Sequence, residues 1–274
     1  MKNLVAFLGI LVVVAAIAFF GRQAWAIHHP AVVPLPRSET STYTVNSQAL
    51  DNIRATVAGR DDLDLSVALT DLQTGESYHY GDSSSFTAAS VGKLITATAF
   101  MNAVEKGDAS LTDTIGGMAA STAIQKMLVE SDNGAWTAMK NRLTLDGQQA
   151  YAESIGIRSY DADANTITSS DIALLLAKLA SGKLLTSSHT NQLLSYMEQA
   201  NYRAYIVAAI PDGTSVYHKV GLLEDRLHDA AIIQKDGRSY VLVIFSKSLY
   251  GTYDFNDGAS LFGSITADSL EAFF

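Results

Sequence analysis

The chain has 274 residues, 48% of them hydrophobic and 17% charged, with a formal net charge of -9; this supports a large core and argues against nucleic acid as the main partner. It has no cysteine, which excludes a thiolate nucleophile, a Cys-ligated zinc and a disulfide framework. The six histidines form no recognisable ligand spacing, so neither a metal nor any other cofactor is expected.

The first distinct segment runs from Leu4 to Phe20, 17 residues without a polar side chain, at the short limit for crossing a bilayer. Ala24-Trp25-Ala26 also fits a small-residue cleavage site. Residues 1–26 are therefore expected to act as a membrane anchor or a removed signal peptide, with a slight preference for the anchor. Either way the rest of the chain is expected outside the cytoplasm, tethered to the membrane or secreted. Residues 27–47 hold three of the four prolines and read as an extended linker. The adjacent His28 and His29 fall there as solvated residues. The folded domain is expected over 48–274.

Within it, Ala49 to Val57 has helical spacing. Leu65 to Thr70 and Ser77 to Tyr80 read as strands joined by the turn Asp71-Leu72-Gln73-Thr74-Gly75, a hairpin. From about Ala88 to Met197 the pattern is helical, with Leu94, Ala97, Met101 and Val104 on one face and Ile172 to Leu179 the clearest later helix. Strand patterns return at Tyr205–Ile210, Ser215–Val220, Ala230–Gln234 and Tyr240–Ser246, with turns at Pro211-Asp212-Gly213 and Lys235-Asp236-Gly237. Ala259 to Phe274 reads as a terminal helix. These elements predict an α+β domain: an antiparallel sheet built from both chain ends and flanked by helices, with an inserted helical subdomain.

Ser90-Val91-Gly92-Lys93 puts a hydroxyl and an amine one helical turn apart at a helix start. A lysine made neutral by desolvation can take the serine proton. Alone the motif is weak, because an N-cap serine has the same appearance. It is followed by Ser131-Asp132-Asn133 in the helical region and by Lys219-Val220-Gly221 on a later strand. In that order the three resemble the Ser-x-x-Lys, Ser-Asp-Asn and Lys-Thr-Gly signatures of class A β-lactamases and penicillin-binding proteins. The resemblance covers roughly 48–274. It takes in Ala68 to Glu76, Phe86 to Ser90, Lys106-Gly107, Leu111-Thr112-Asp113, Asn165 to Thr168 and Ile210 to Gly213.

The resemblance implies a β-lactamase/transpeptidase-like fold with Ser90 as the acylated nucleophile and Lys93 as its base. Ser131 would relay a proton to the leaving nitrogen, and Lys219 would hold the substrate carboxylate and the relay serine. Asn133 would orient the substrate side chain, and Asp132 would anchor its own loop. The backbone N–H groups of Ser90 and Leu222 would form the oxyanion hole. Val220 and Gly221 would border the substrate, Gly221 by allowing close approach. Arg226 and His228 are candidates for a substrate carboxylate, although solvated loop residues are the better expectation for both.

Two departures stand out. The family's Glu-x-x-Leu-Asn loop, whose glutamate activates the deacylating water, has no counterpart between Ile157 and Asn165. Only Asp161 and Asp163 offer carboxylates there, and a solvated acidic turn is the expectation for them. Val220 stands where a threonine is usual. The first expectation is a β-lactamase-like acyl hydrolase acting through a Ser90 acyl-enzyme on β-lactams or related amides. A penicillin-binding-type D,D-peptidase or esterase of the same fold comes second. A membrane-tethered binding or sensor domain without turnover comes third. The partner is a β-lactam or a peptidoglycan-like peptide, and the protein is expected to be a monomer.

Overall fold

A computed structural model describes residues 44–274. The segment expected to be an anchor or signal, and the linker up to residue 43, lie outside the described residues. Among the described residues no helix is long and apolar enough to cross a membrane.

The first element is helix α1 (Ser47–Ala58), capped by the Asn46 side chain, which accepts from the N–H groups of Gln48 and Ala49. Two strands follow, β1 (Leu63–Asp71) and β2 (Ser77–Gly81). The other long strands all come from the far end of the chain: β7 (Ser215–Leu223), β8 (Arg226–Lys235) and β9 (Arg238–Ser248). They assemble in the order β2-β1-β9-β8-β7, with every neighbouring pair antiparallel. The β8–β9 turn carries Asp236 at φ 50° and Gly237 at φ 76°. Two consecutive positive φ values are what a two-residue hairpin with the sheet's own twist requires.

Strand alternation divides the sheet into two faces. Leu65, Val67, Leu69, Tyr240, Leu242 and Ile244 pack with α1 and the terminal helix α8 (Phe255–Phe273). Two α8 side chains, Phe262 and Ile265, are fully buried, each worth roughly 1.5–3 kcal/mol in apolar burial. The other face carries the helical insert. It comprises β3 (Phe86–Thr87), a short 3-10 turn (Ala89–Gly92), α2 (Lys93–Lys106), and the small hairpin β4 (Thr114–Ile115) and β5 (Met118–Ala119). Helices α3 (Ala120–Val129), α4 (Asn133–Leu143) and α5 (Leu145–Ser154) come next, then β6 (Thr166–Ile167), α6 (Ser169–Ala180) and α7 (Ser187–Glu198). The expected architecture, a sheet from both chain ends around a helical insert, is the one found.

Two expectations need correction. Tyr205–Ile210 is no strand: Ile206–Ala209 forms a 3-10 turn. Its Ile206 N–H donates to the buried carboxylate of Asp229 on β8, and Tyr205 packs edge-on against Phe262 of α8. The apolar run therefore covers the terminal helix and leaves the sheet at five strands. Helix α2 is also not amphipathic over its first nine residues, because every residue from Lys93 to Met101 is buried. It is the central helix of the insert, and that brings a lysine into the interior.

Candidate active site

The Ser90 turn lies against strand β7, at the edge of the sheet. Its local order starts upstream, where Phe86 and Thr87 pair with Ile167 and Thr166. Ala89 then adopts φ 48°, a left-handed conformation costly for a residue with a Cβ. Ser90 does not cap the following helix. The N-cap is Gly92, with no side-chain capping bond. The Ser90 hydroxyl instead accepts from Lys93 Nζ at 2.8 Å.

Lys93 Nζ also donates to Ser131 O at 2.6 Å and to Asn133 Oδ1 at 2.7 Å, with Ser131 Oγ at 3.1 Å. The two carbonyl oxygens are acceptors only. A neutral amine can give its two N–H groups to them and still present a lone pair to the Ser90 O–H. Burial favours that neutral form: it lowers Lys93 to about 8, against a smaller opposing pull from the Asp132 charge. The Trp136 ring lies 5.1 Å from Lys93 Nζ, held by its own N–H to Thr96 Oγ1 at 2.9 Å.

Ser131 lies between two lysines. Lys219 Nζ donates to Ser131 Oγ at 3.0 Å and to Val220 O at 3.2 Å. Lys219 is 2% exposed, and burial, together with the charge of Lys93, lowers it to about 7. Ser131 has φ 59°. The next residue, Asp132, caps α4 by accepting from Ala135 N–H at 2.7 Å. That cap fixes the short segment and puts Asn133 at the first position of the helix. Ser90, Lys93, Ser131, Asn133 and Lys219, widely separated in sequence, thus form one hydrogen-bonded cluster.

Gly221 faces the Ser90 turn. A Cβ there would lie 2.8 Å from Ala88 O, 3.1 Å from Ala89 Cβ and 3.2 Å from Ser90 N, so any side chain would push the strand off the turn. Leu222 follows on β7, opposite Leu227. Val220 differs from expectation. Its side chain is 2% exposed and packs in the core beneath α1 and α8, so contact with a substrate would have to come through its backbone. Alternation along β7 explains this, since Lys219 and Gly221 point one way and Val220 the other.

His228 and Arg226 also depart from the solvated reading. His228 is fully buried. Its Nε2 meets Thr87 O at 3.0 Å and its Nδ1 accepts from Ser246 N–H at 3.2 Å. Burial lowers it to about 4, so it is a neutral ring that ties β8 to the chain entering the Ser90 turn. Arg226 is held in a bidentate pair with Asp225. His218, next to Lys219, points to the opposite face and bonds buried Asp229 at 3.1 Å.

In the short loop before β6, Asp161 Oδ1 accepts from the N–H groups of Asp163 and Ala164. Both aspartates are exposed. Sequence reading missed Trp136 and Asn165. Trp136 could have been found as the residue one helical turn beyond Asn133. Asn165 donates from Nδ2 to Ala89 O at 3.1 Å, and its own carbonyl accepts from Ala88 N–H at 2.8 Å.

A sheet built from both chain ends, holding a helical insert at whose junction a serine, two buried lysines and a second serine meet, is the architecture of a serine β-lactamase-like hydrolase. Residues 48–273 match the beta-lactamase enzyme family, and the chain belongs to it. No curated protein matches the sequence. Among solved structures, PBP-A superposes with a TM-score of 0.76 at 21% identity, covering 84% of this chain and 98% of PBP-A. A substituted form of PBP-A, an acyl-enzyme complex with penicillin G, gives 0.75 at 21%, covering 82% and 96%. A β-lactamase from Sphaerobacter thermophilus gives 0.73 at 20%, covering 82% and 97%. These likenesses support the β-lactamase/transpeptidase-like fold.

Proposed function

We propose that this protein is a serine acyl-hydrolase that opens β-lactam or related amide bonds through an ester on Ser90. The observation that carries the reading is Lys93, whose buried Nζ lies 2.8 Å from Ser90 Oγ while two carbonyls take its N–H groups. In this reading neutral Lys93 removes the Ser90 proton as Oγ attacks the substrate carbonyl. The resulting oxyanion is received by the backbone N–H groups of Ser90 and Leu222. The C–N bond then breaks, and Ser131 Oγ passes a proton to the leaving nitrogen and is reprotonated from the lysine pair. Lys219, when charged, meets a substrate carboxylate. Asn133, whose Oδ1 is held by Lys93, offers its NH2 group to the substrate side chain.

Release of the ester is where a second reading gains support. The 158–165 loop provides no glutamate, and Asp161 is occupied in capping its own turn. That favours a penicillin-binding-type D,D-peptidase, in which a β-lactam ester would persist. Steady-state assays separate the two. Multiple turnovers of a penicillin or cephalosporin support the hydrolase. A single equivalent consumed, with release of D-Ala from a D-Ala-D-Ala peptide, supports the peptidase. Neither reaction in folded protein would leave the family's fold serving as a binding or sensor domain. The reading also includes extracytoplasmic placement by the N-terminal segment, which protease accessibility in intact cells would test.

A further inference from the structure

The peptide unit joining Ala89 to Ser90 has two ends. On the reading above, its N–H belongs to the oxyanion hole, and the Ser90 nitrogen lies 3.2 Å from where a Cβ of Gly221 would be. Its C=O accepts from Asn165 Nδ2 at 3.1 Å. In a planar trans peptide the C=O and N–H point in opposite directions. Whatever fixes the carbonyl therefore fixes the direction of the N–H.

Asn165 is built to do so. It sits at φ 51°, and its backbone carbonyl accepts from Ala88 N–H at 2.8 Å, so it grips the Thr87–Ala88 and the Ala89–Ser90 peptide units, one on each side of the Ala88–Ala89 unit. Its Oδ1 occupies the space a side chain on residue 92 would need, against Gly92. That oxygen is buried with no hydrogen-bond partner. Its position is therefore set by what the amide nitrogen does on the other side. The grip also opposes strain. Ala89 at φ 48° would relax by rotating the very peptide whose N–H faces the site.

We propose that Asn165 is a positioning residue of the oxyanion hole: it holds the Ala89–Ser90 peptide by its carbonyl so that the Ser90 N–H stays directed at the developing oxyanion. This rests on Ser90 being the nucleophile. It adds a second function to the shortened loop, which lacks the family's glutamate yet delivers Asn165 to the nucleophile turn.

The test uses Asn165→Ala and Asn165→Asp in the otherwise unchanged protein, each checked for folding by its thermal melt. Penicillin G is the acylating probe and phenylboronic acid the probe of tetrahedral adduct affinity. The expected loss in acylation rate is about 10- to 100-fold, below the full effect of deleting an oxyanion donor because this one is misdirected and still present. Initial penicillin binding should change little, and phenylboronic acid affinity should fall by a similar factor. The carbonyl stretch of the Ser90 ester should move to higher wavenumber. Asn165→Asp should lose at least as much, because its carboxylate opposes Ala89 O. It keeps the asparagine volume and decides the question if the alanine variant does not fold.

A folded variant that acylates at the wild-type rate would overturn the proposal. So would a slower variant whose boronate affinity and carbonyl stretch match wild type. If the wild-type protein itself takes up neither probe, it is the nucleophile reading that fails, before any variant is compared.

Discussion

The rate of Ser90 acylation should depend on pH through Lys93, with a midpoint displaced far from that of ordinary lysine. In water the Lys93 side chain would carry a pKa of 10.5; in the structure burial brings it to about 8. At pH 7 the neutral fraction then rises from roughly one in three thousand to roughly one in ten, a gain of about 300-fold in the form able to accept a proton. The sign follows from the charge type. Lysine is active as the neutral amine, so activity is lost as pH falls through the lowered pKa. Acylation at saturating penicillin, followed by quenched intact-mass measurements from pH 6 to 10, should stand near 1% of its plateau at pH 6, about 10% at pH 7 and about half at pH 8. A rate still climbing about eightfold between pH 9 and 10 would show Lys93 titrating as an ordinary lysine, against the lowering by burial. A flat profile would mean that another group takes the proton.

The same burial makes Lys93 a liability for folding, because its folded pKa lies below its unfolded value and the native state is penalised increasingly as pH falls from 10.5 to about 8. Lys93→Met should therefore stabilise the fold at pH 7 by about 1–3 kcal/mol while abolishing acylation; urea melts in which this gain did not shrink toward pH 10 would contradict the assignment. Gly221→Ala places a Cβ 2.8 Å from Ala88 O and should cut acylation by at least about tenfold, with a smaller effect on the thermal midpoint; a wild-type rate would show that β7 and the nucleophile turn are not in working contact. Asp161→Asn should leave the rate of ester release unchanged, since Asp161 Oδ1 is committed to two N–H groups of its own turn. A large slowing would identify it as the deacylating base.

The parts of this molecule that were legible in its sequence are those governed by local rules. The hairpin at Lys235-Asp236-Gly237 follows from turn chemistry, and α1, α6 and α8 from apolar periodicity. The cluster around Lys93 was legible through the order of three short motifs, each placing a polar group where a packed helix or strand would otherwise carry an apolar one. What stayed hidden depended on the partner surface. Tyr205–Ile210 has the composition of a strand, but the neighbour that claims it is α8. His228 reads as a loop residue until β8 is found to continue through it to meet Thr87. The burial of Val220 follows from which face of β7 Lys219 occupies, and only the assembled sheet fixes that. Asn165 meets the Ser90 turn across 76 residues of separation, a contact no spacing rule anticipates.

Intact-mass spectrometry of the protein mixed with penicillin G, with Ser90→Ala alongside, decides whether Ser90 is the acylated nucleophile. A mass increase equal to the whole antibiotic is expected, confined to the wild-type protein and mapping to the peptide that contains Ser90. An adduct of the same mass on folded Ser90→Ala, or on another residue, would contradict that role.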